Sequence, residues 1–309
     1  MKNKKKITTF THKLFLNLFS CGYLFLFGFL LIFLSDAKAQ ILKMQYIQDH
    51  HYITEYENGF VNWTSGYIYA IGKASPLKPK KNKQNKTHLK SVPTKAKENA
   101  INNIIDVFKQ IKINTSLTVG KHAAKKAVIM AGLIKNANDA QIVTQYYTSL
   151  LDVQIVIRMS MYGGFLQLVL PEEIIQISKI QLEENLQKTK QGQYTSLIIN
   201  AKGIGLEPVL YPVIINEEGK DIYSSVFISR EFVVQNGVCK YFNNIEKALQ
   251  DKKAGEKPLV VKAIRKENSA IVLSTPDYNT IEKTTERHAF LKQGKVLIVL
   301  DEQNHDNQF

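Results

Sequence analysis

The sequence predicts an α+β fold: two small domains of mixed or antiparallel sheet with packed helices, behind an N-terminal signal segment. Three observations carry that expectation. Apolar residues alternate along short stretches bounded by glycine and asparagine turns, they recur every fourth position from Ala96 to Phe108, and in the second half short strands and helices interleave without a fixed repeat. With 309 residues, 44% hydrophobic and 22% charged, there is material for two ordinary cores. That balance excludes a disordered or fibrous chain.

Residues 1–39 read as an address and not as fold. Lys2, Lys4, Lys5, Lys6 and Lys13 precede an almost wholly apolar, uncharged run from Leu14 to Leu34, and Ala37 and Ala39 supply the small residues that a signal peptidase recognises. Cleavage is expected between Ala39 and Gln40. An uncleaved anchor is the competing reading, because about 20 apolar residues suffice to span a bilayer. Either way the lysines hold the N-terminus inside and place the body in the periplasm or outer envelope of a bacterium. The segment carries six Lys and one Asp, so the chain's +14 falls to +9 on cleavage, short of a dedicated nucleic-acid binder. Cys21 sits inside the apolar run, so lipidation is not expected. Cys239 is then alone, cannot form an internal disulfide, and reads as a small buried hydrophobe.

In the mature chain, Phe60 to Gly72 alternates with Val61, Trp63, Tyr67 and Tyr69 on one parity, which predicts a strand with one aromatic face. Ser75 to Thr94 holds three prolines and six lysines and reads as a solvated loop. A helix is expected to start at Pro93-Thr94 and bury Ala96, Ala100, Ile104 and Phe108. Asn114 to Val119 is a predicted strand, Gly120 a break, and Ala123 to Ile134 a helix with Ala123, Ala127, Met130 and Ile134 inward. Val153 to Met161, a Gly163-Gly164 turn and Phe165 to Leu170 predict a hairpin. Pro171 opens a third helix reaching about Lys188, and Lys190-Gln191-Gly192 marks the boundary between domains at 40–192 and 193–301.

The second domain reads as strands at 196–201, 209–215, 221–228, 237–242, 259–265, 270–274 and 296–300, with a Gly203-Ile204-Gly205 turn. Helices are expected at 244–252 and 276–291, and residues 302–309 form a polar tail.

The run Trp63-Thr64-Ser65-Gly66-Tyr67-Ile68-Tyr69-Ala70-Ile71-Gly72, the alanine-spaced helix Ala96 to Ile111 and Ile113-Asn114-Thr115-Ser116-Leu117-Thr118-Val119 resemble the twenty-kilodalton bacterial envelope lipoproteins and the related N-terminal domain of flagellar assembly protein T. The resemblance covers about Phe60 to Pro171 and implies a noncatalytic envelope or appendage-associated role. The chain departs from the lipoproteins in lacking a usable lipid cysteine. Tyr194 to Pro208 and Lys257 to Ala263 look like a recurrent tail of such exported proteins, with no activity attached.

Chemistry-bearing patterns are weak throughout. Ser75-Pro76-Leu77-Lys78 matches a serine-lysine motif, but its proline and loop context oppose the helix that motif needs. Gly203-x-Gly205 lacks the third glycine of a dinucleotide turn and no helix follows. His50-His51 point to opposite faces of a strand, and His88, His122, His288 and His305 show no metal spacing. Glu172-Glu173, Glu183-Glu184 and Glu217-Glu218 fit helix starts, helix surfaces and turns better than an acid-base pair. Trp63, Tyr67 and Tyr69 form either a ligand platform or, the preferred reading, core beneath the first helix. No catalytic residue, cofactor or metal is expected.

The sequence therefore predicts a structural or assembly module that meets other envelope proteins, possible appendage components among them. The alternative is a binder of anionic lipid or polymer through Lys78, Lys80, Lys81, Lys83, Lys86 and Lys90, with nucleic acid not expected outside the cytoplasm. A second alternative is a hydrolase whose carboxylates are assembled only by the fold.

Overall fold

In the computed structural model, residues 51–76, 86–148, 151–172, 174, 194–224, 228–268, 270–284 and 287–302 are described. Met1–Asp49 is a separate unit, and everything described belongs to the unit His50–Phe309. The fold is α+β, as expected. Five strands, β1 (Ile53–Tyr56), β2 (Gly59–Asn62), β3 (Tyr67–Ala74), β4 (Gln141–Tyr147) and β5 (Val153–Ser160), form an antiparallel sheet in the order β1-β2-β3-β5-β4. Across it lies α1 (Lys86–Gln110), which buries Val92, Ala96, Ala100, Ile104 and Phe108 against Ile68, Ala70, Ile155 and Ile157. The four-residue spacing read from the sequence supplies that contact face.

Close approach of α1 depends on Gly72. An ideal Cβ there would lie 2.1 Å from the Ala96 carbonyl oxygen and 2.2 Å from the Ala100 nitrogen. Asn99 Nδ2 donates to Lys73 O at 2.8 Å and Asn103 Nδ2 to Ile71 O at 2.6 Å, so the helix is fastened on both sides of the glycine.

Several expectations need correction. The helix begins at Lys86, well before Pro93, which lies inside it; packing of the 5%-exposed Val92 holds this first stretch despite the N–H that proline lacks. The expected single strand at 60–72 is a hairpin, turning through Trp63 to Gly66, where φ is +75°. The turn splits the aromatic set. Trp63 enters the core, while Tyr67 and Tyr69 lie on the opposite face, Tyr69 stacked on Phe60 at 4.6 Å.

Asn114 to Val119 makes only a single bridge, Lys112 to Thr118, because Asn114 Oδ1 accepts from the Ser116 and Leu117 nitrogens and competes with a ladder. The next helix is two: α2 (Val119–Ala123), which contains Gly120, and α3 (Ala127–Asn138). The buried residues of α3 are Ile129, Leu133 and Ala137, and Ile134 is exposed. The expected return strand after Gly163 is α4 (Gly164–Val169), whose buried Phe165, Leu166 and Val169 follow a helical face and not alternation. β5 pairs with β3 on one side and with β4, which precedes it in the chain, on the other.

The second sheet has seven strands: β6 (Ser196–Asn200), β7 (Val213–Asn216), β8 (Asp221–Tyr223), β9 (Lys240–Phe242), β10 (Pro258–Glu267), β11 (Ala270–Leu273) and β12 (Val296–Val299), in the order β8-β7-β11-β10-β6-β12-β9. Its centre is parallel, β6 pairing with β10 and β12, and β12 with β9. Buried on both faces, β6 and β12 read as continuous apolar runs. Its helices are α5 (Arg230–Asn236), absent from the sequence reading, α6 (Ile245–Gln250), α7 (Thr275–Lys283) and α8 (Arg287–Lys292), the last two replacing one expected helix. Asn244 caps α6 and Ser274 caps α7. Gly203 and Gly205 have positive φ and form the expected tight turn, where the Gly203 N–H donates to Asp301. The predicted helix at 171–188, the Gly192 break and the tail lie outside the described residues apart from a few positions at their ends.

The two sheets share one buried cluster. Thr64, 5% exposed, accepts from Tyr52 N at 2.8 Å and donates to Tyr241 O, and Trp63 meets the Tyr241 ring edge-on at 5.6 Å. His51 bridges Phe242, while Leu210 N and Tyr211 N donate to Lys112 O and Ile113 O, both at 2.9 Å. Arg230 binds the carbonyls of Pro171 and Gln167.

Candidate functional site

The four sheet edges differ in how they are protected. An exposed edge presents unpaired backbone groups, and natural proteins blunt it with charge, often lysine. The edge strands β1, β8 and β9 are three or four residues long and carry Glu55, Asp221 and Lys240 respectively. The fourth, β4, runs seven residues, Gln-Ile-Val-Thr-Gln-Tyr-Tyr, with no charge in a chain holding 41 Lys and Arg. Five of its seven side chains are exposed, Ile142 at 48% and Tyr147 at 64% among them, Val143 and Thr144 are half-buried, and Leu151 in the following turn adds another exposed apolar group at a positive φ. A bulge between Ile142 and Thr144 is its one irregularity.

At the Gln141 end of β4 lies a cleft of about 250 Å³. Its walls come from β3, β5, the end of α3 and the start of α4, and include Tyr67, Asn136, Asp139, Arg158, Ser160 and Phe165. Arg158 stands directly opposite Gln141 in the ladder and donates to Gln141 Oε1 from Nε at 3.3 Å and from Nη2 at 3.2 Å. The guanidinium carbon lies 4.7 Å from the Tyr67 ring centroid. Among the described residues no carboxylate comes within 4.0 Å of Arg158, although Asp139 lines the same cleft. The Asn136 amide nitrogen is buried there without a hydrogen-bond partner. Ser160 Oγ accepts from the Tyr162 N–H at 3.0 Å, which orients its hydroxyl proton elsewhere.

Lys240 and Asp251, paired at 2.9 Å, stand near Cys239 and Lys253. Lys253 donates to the carbonyls of Asn236 and Gly237, both at 3.0 Å, closing the end of α5. Burial lowers its pKa to about 7, opposed by the nearby Cys239 and Asp251. Burial likewise pushes the Cys239 thiol up to about 11, so no thiolate is available at neutral pH, in keeping with its reading as a small hydrophobe.

The acid pairs do structural duties where they are described. Glu217 accepts from Thr275 N and Oγ1 at 2.9 and 2.8 Å, which lowers its pKa, Glu218 pairs with Lys220 at 2.8 Å, and Glu172 pairs with Lys126. Glu183 and Glu184 lie outside the described residues. So do Ala39, Gln40, Cys21, His50, His305, Lys78, Lys80, Lys81 and Lys83; Lys86 and Lys90 fall on the first turns of α1, with their side chains outside that description. His51 Nδ1 contacts Asn62 Nδ2 at 2.9 Å. Among the described residues no group of three or more His, Cys, Asp or Glu is placed to hold a metal, and no helix is long and apolar enough to cross a membrane.

Sequence reasoning missed Arg158, Asn136 and the β4 edge. One signal was legible: Arg158 is one of four arginines, with Arg230, Arg265 and Arg287, in a lysine-rich chain. Arginine was needed there because only its planar fork can reach Gln141 and lie over Tyr67 together.

No curated protein matches the chain. Residues 196–302 are similar to a family described as Treponema pallidum Tp0624, second domain, a match that runs from the first residue of β6 to just past β12 and so spans the whole seven-stranded sheet.

Proposed function

We propose that this is an exported envelope protein that works as a noncatalytic structural or assembly module, holding an extended segment of another envelope protein along β4. The observation that carries the reading is the edge itself. It is the longest of the four described and has no charge, while its exposed Ile142, Tyr146 and Tyr147 offer apolar contact. Strand addition uses such an edge: backbone hydrogen bonds supply affinity and alternate side chains supply selectivity. The shared core beneath both sheets keeps the edge in one shape, which reduces the ordering cost of docking. The export signal before Gln40 supplies the compartment. The similarity of residues 196–302 to a domain that is the second in its own protein is compatible with a modular part.

The test is a photo-cross-linking residue placed at Tyr147 in living cells, with a control at the exposed Lys202. The expected result is one envelope protein captured from position 147 and not from 202, lost when Thr144→Pro removes a backbone donor from the edge strand. Equal capture at both positions would overturn the docking edge. Mass spectrometry of the same sample should find a chain beginning at Gln40; an intact Met1 segment would overturn cleavage.

A further inference from the structure

The cleft beside Arg158 holds groups that the assembly role leaves unused, and they are arranged by charge. On one wall is a guanidinium held in place by Gln141 and the Tyr67 face and paired with no carboxylate among the described residues. Asp139, exposed at the end of α3, lines the same space without reaching the arginine. Asn136 also lines the space, and its amide nitrogen is buried and unpartnered. The structure assigns to this cleft the binding of an α-amino carboxylate, either a free amino acid or the C-terminal residue of a peptide.

The polarity fixes the orientation. A carboxylate accepts two parallel N–H bonds from a guanidinium fork, so the ligand's carboxylate belongs on Arg158. The nitrogen on the adjacent carbon, an ammonium or a peptide N–H, then faces Asp139. A turn of the Asn136 amide toward the space would let its buried Nδ2 donate to the ligand and gain the partner that the protein leaves it without. Phe165 and Tyr67 leave apolar wall for a side chain, and about 250 Å³ limits the occupant to one or two residues. A phosphate or sulfate would satisfy Arg158 but would face the Asp139 carboxylate with like charge. This inference goes beyond the assembly reading and stands without it.

The experiment is calorimetric titration of the full mature chain with L-leucine, with N-acetyl-alanyl-leucine and with the C-terminal amide of that dipeptide. At least one of the two carboxylates should saturate, and the amide should not. Binding of leucine alone identifies a free amino acid, and binding of the acetylated dipeptide identifies a peptide terminus. Arg158→Gln should weaken the bound ligand about tenfold or more, and Arg158→Lys nearly as much, since it keeps charge and loses the fork. If Arg158→Gln fails to fold, Gly164→Ala serves instead. Its added Cβ would sit 3.1 Å from the Asn136 amide and displace that donor, lowering affinity several-fold. Absence of binding by both carboxylates up to ~10 mM, a free energy weaker than about −3 kcal/mol, overturns the assignment. Equal binding of the amide, or unchanged affinity in folded Arg158→Gln, overturns it as well.

Discussion

Gly72→Ala should be among the most damaging single-methyl changes in this protein. The φ of Gly72 lies outside the left-handed region, so alanine meets no backbone strain there and the effect is steric. The new Cβ would stand 2.1 Å from Ala96 O and 2.2 Å from Ala100 N, about 0.9 Å inside the 3.0 Å that real Cβ contacts respect. Both obstacles are helix backbone, and no rotamer can relieve them. Either α1 lifts from β3 by most of an ångström, breaking the Asn99 and Asn103 bonds that flank the glycine, or β3 buckles. Overpacking that side chains can absorb costs about 1–3 kcal/mol. Here the cost should reach the top of that range, about 3 kcal/mol, or about 6–12 °C in Tm for a body of this size. Gly132→Ala is the matched control. Its Cβ would approach only the end of the Leu168 side chain, Cδ1 at 2.8 Å and Cδ2 at 3.2 Å, which a rotamer change can relieve, and a helical alanine gains about 1 kcal/mol over glycine. Urea unfolding of the two variants should separate them by more than 2 kcal/mol. A Gly72→Ala protein within about 1 kcal/mol of wild type would refute the rigid seating of α1 on the sheet.

Other consequences are simpler. Thr64→Val should destabilise by about 2 kcal/mol or more, because it strands the buried Tyr52 N–H and Tyr241 carbonyl, while Thr64→Ser should recover most of that loss in the same urea titration. Lys253 should make stability rise with pH between about 7 and 9. Its folded pKa is depressed to about 7 from 10.5, so in this window the unfolded chain binds more protons and raising the pH favours the fold. The opposite contribution from Cys239, raised from 9.0 to about 11, sets in at the top of that window, as the unfolded thiol begins to titrate. Thermal melts at the two pH values should show the slope in wild type and lose it in Lys253→Met; an unchanged slope would sink the assignment.

What could be read from the sequence was periodic and local. The face of α1 was legible because Ala96, Ala100, Ile104 and Phe108 repeat at the spacing of a straight helix, and β6 and β12 were legible as unbroken apolar runs. Errors arose where two periods fit the same residues. Phe165, Leu166 and Val169 satisfy a helix, yet Phe165, Gln167 and Val169 also alternate, and the glycine pair upstream looks like a hairpin turn. β4 was invisible for a different reason. β4 buries no parity of its side chains, only Val143 and Thr144 being half-covered, so Gln-Ile-Val-Thr-Gln-Tyr-Tyr carries no alternation to detect. The site was hidden for a related reason: Arg158 acquires its meaning from Gln141, seventeen residues before it, and from Tyr67, far earlier still, through ladder register that no local pattern encodes.

The edge and the cleft are built from one stretch of chain, and this links the two proposals. Asn136 and Asp139 close α3 around the cleft, and Gln141, which holds Arg158, is the first residue of β4. A partner strand that added to β4 in antiparallel register would travel toward Gln141 and bring its C-terminus to the cleft after about 20 Å, the length of seven residues in extended form. A parallel strand would bring its N-terminus there, and an ammonium facing Arg158 is repelled. If the cleft takes the terminus of the segment that docks on β4, the addition is antiparallel and the segment ends in a free carboxylate. Extending the captured partner by several residues at its C-terminus should then reduce cross-linking at Tyr147 as strongly as Arg158→Gln does. If the extension leaves capture intact while Arg158→Gln still abolishes leucine binding, edge and cleft serve separate ligands, and the cleft is a small-molecule site on a protein-binding module.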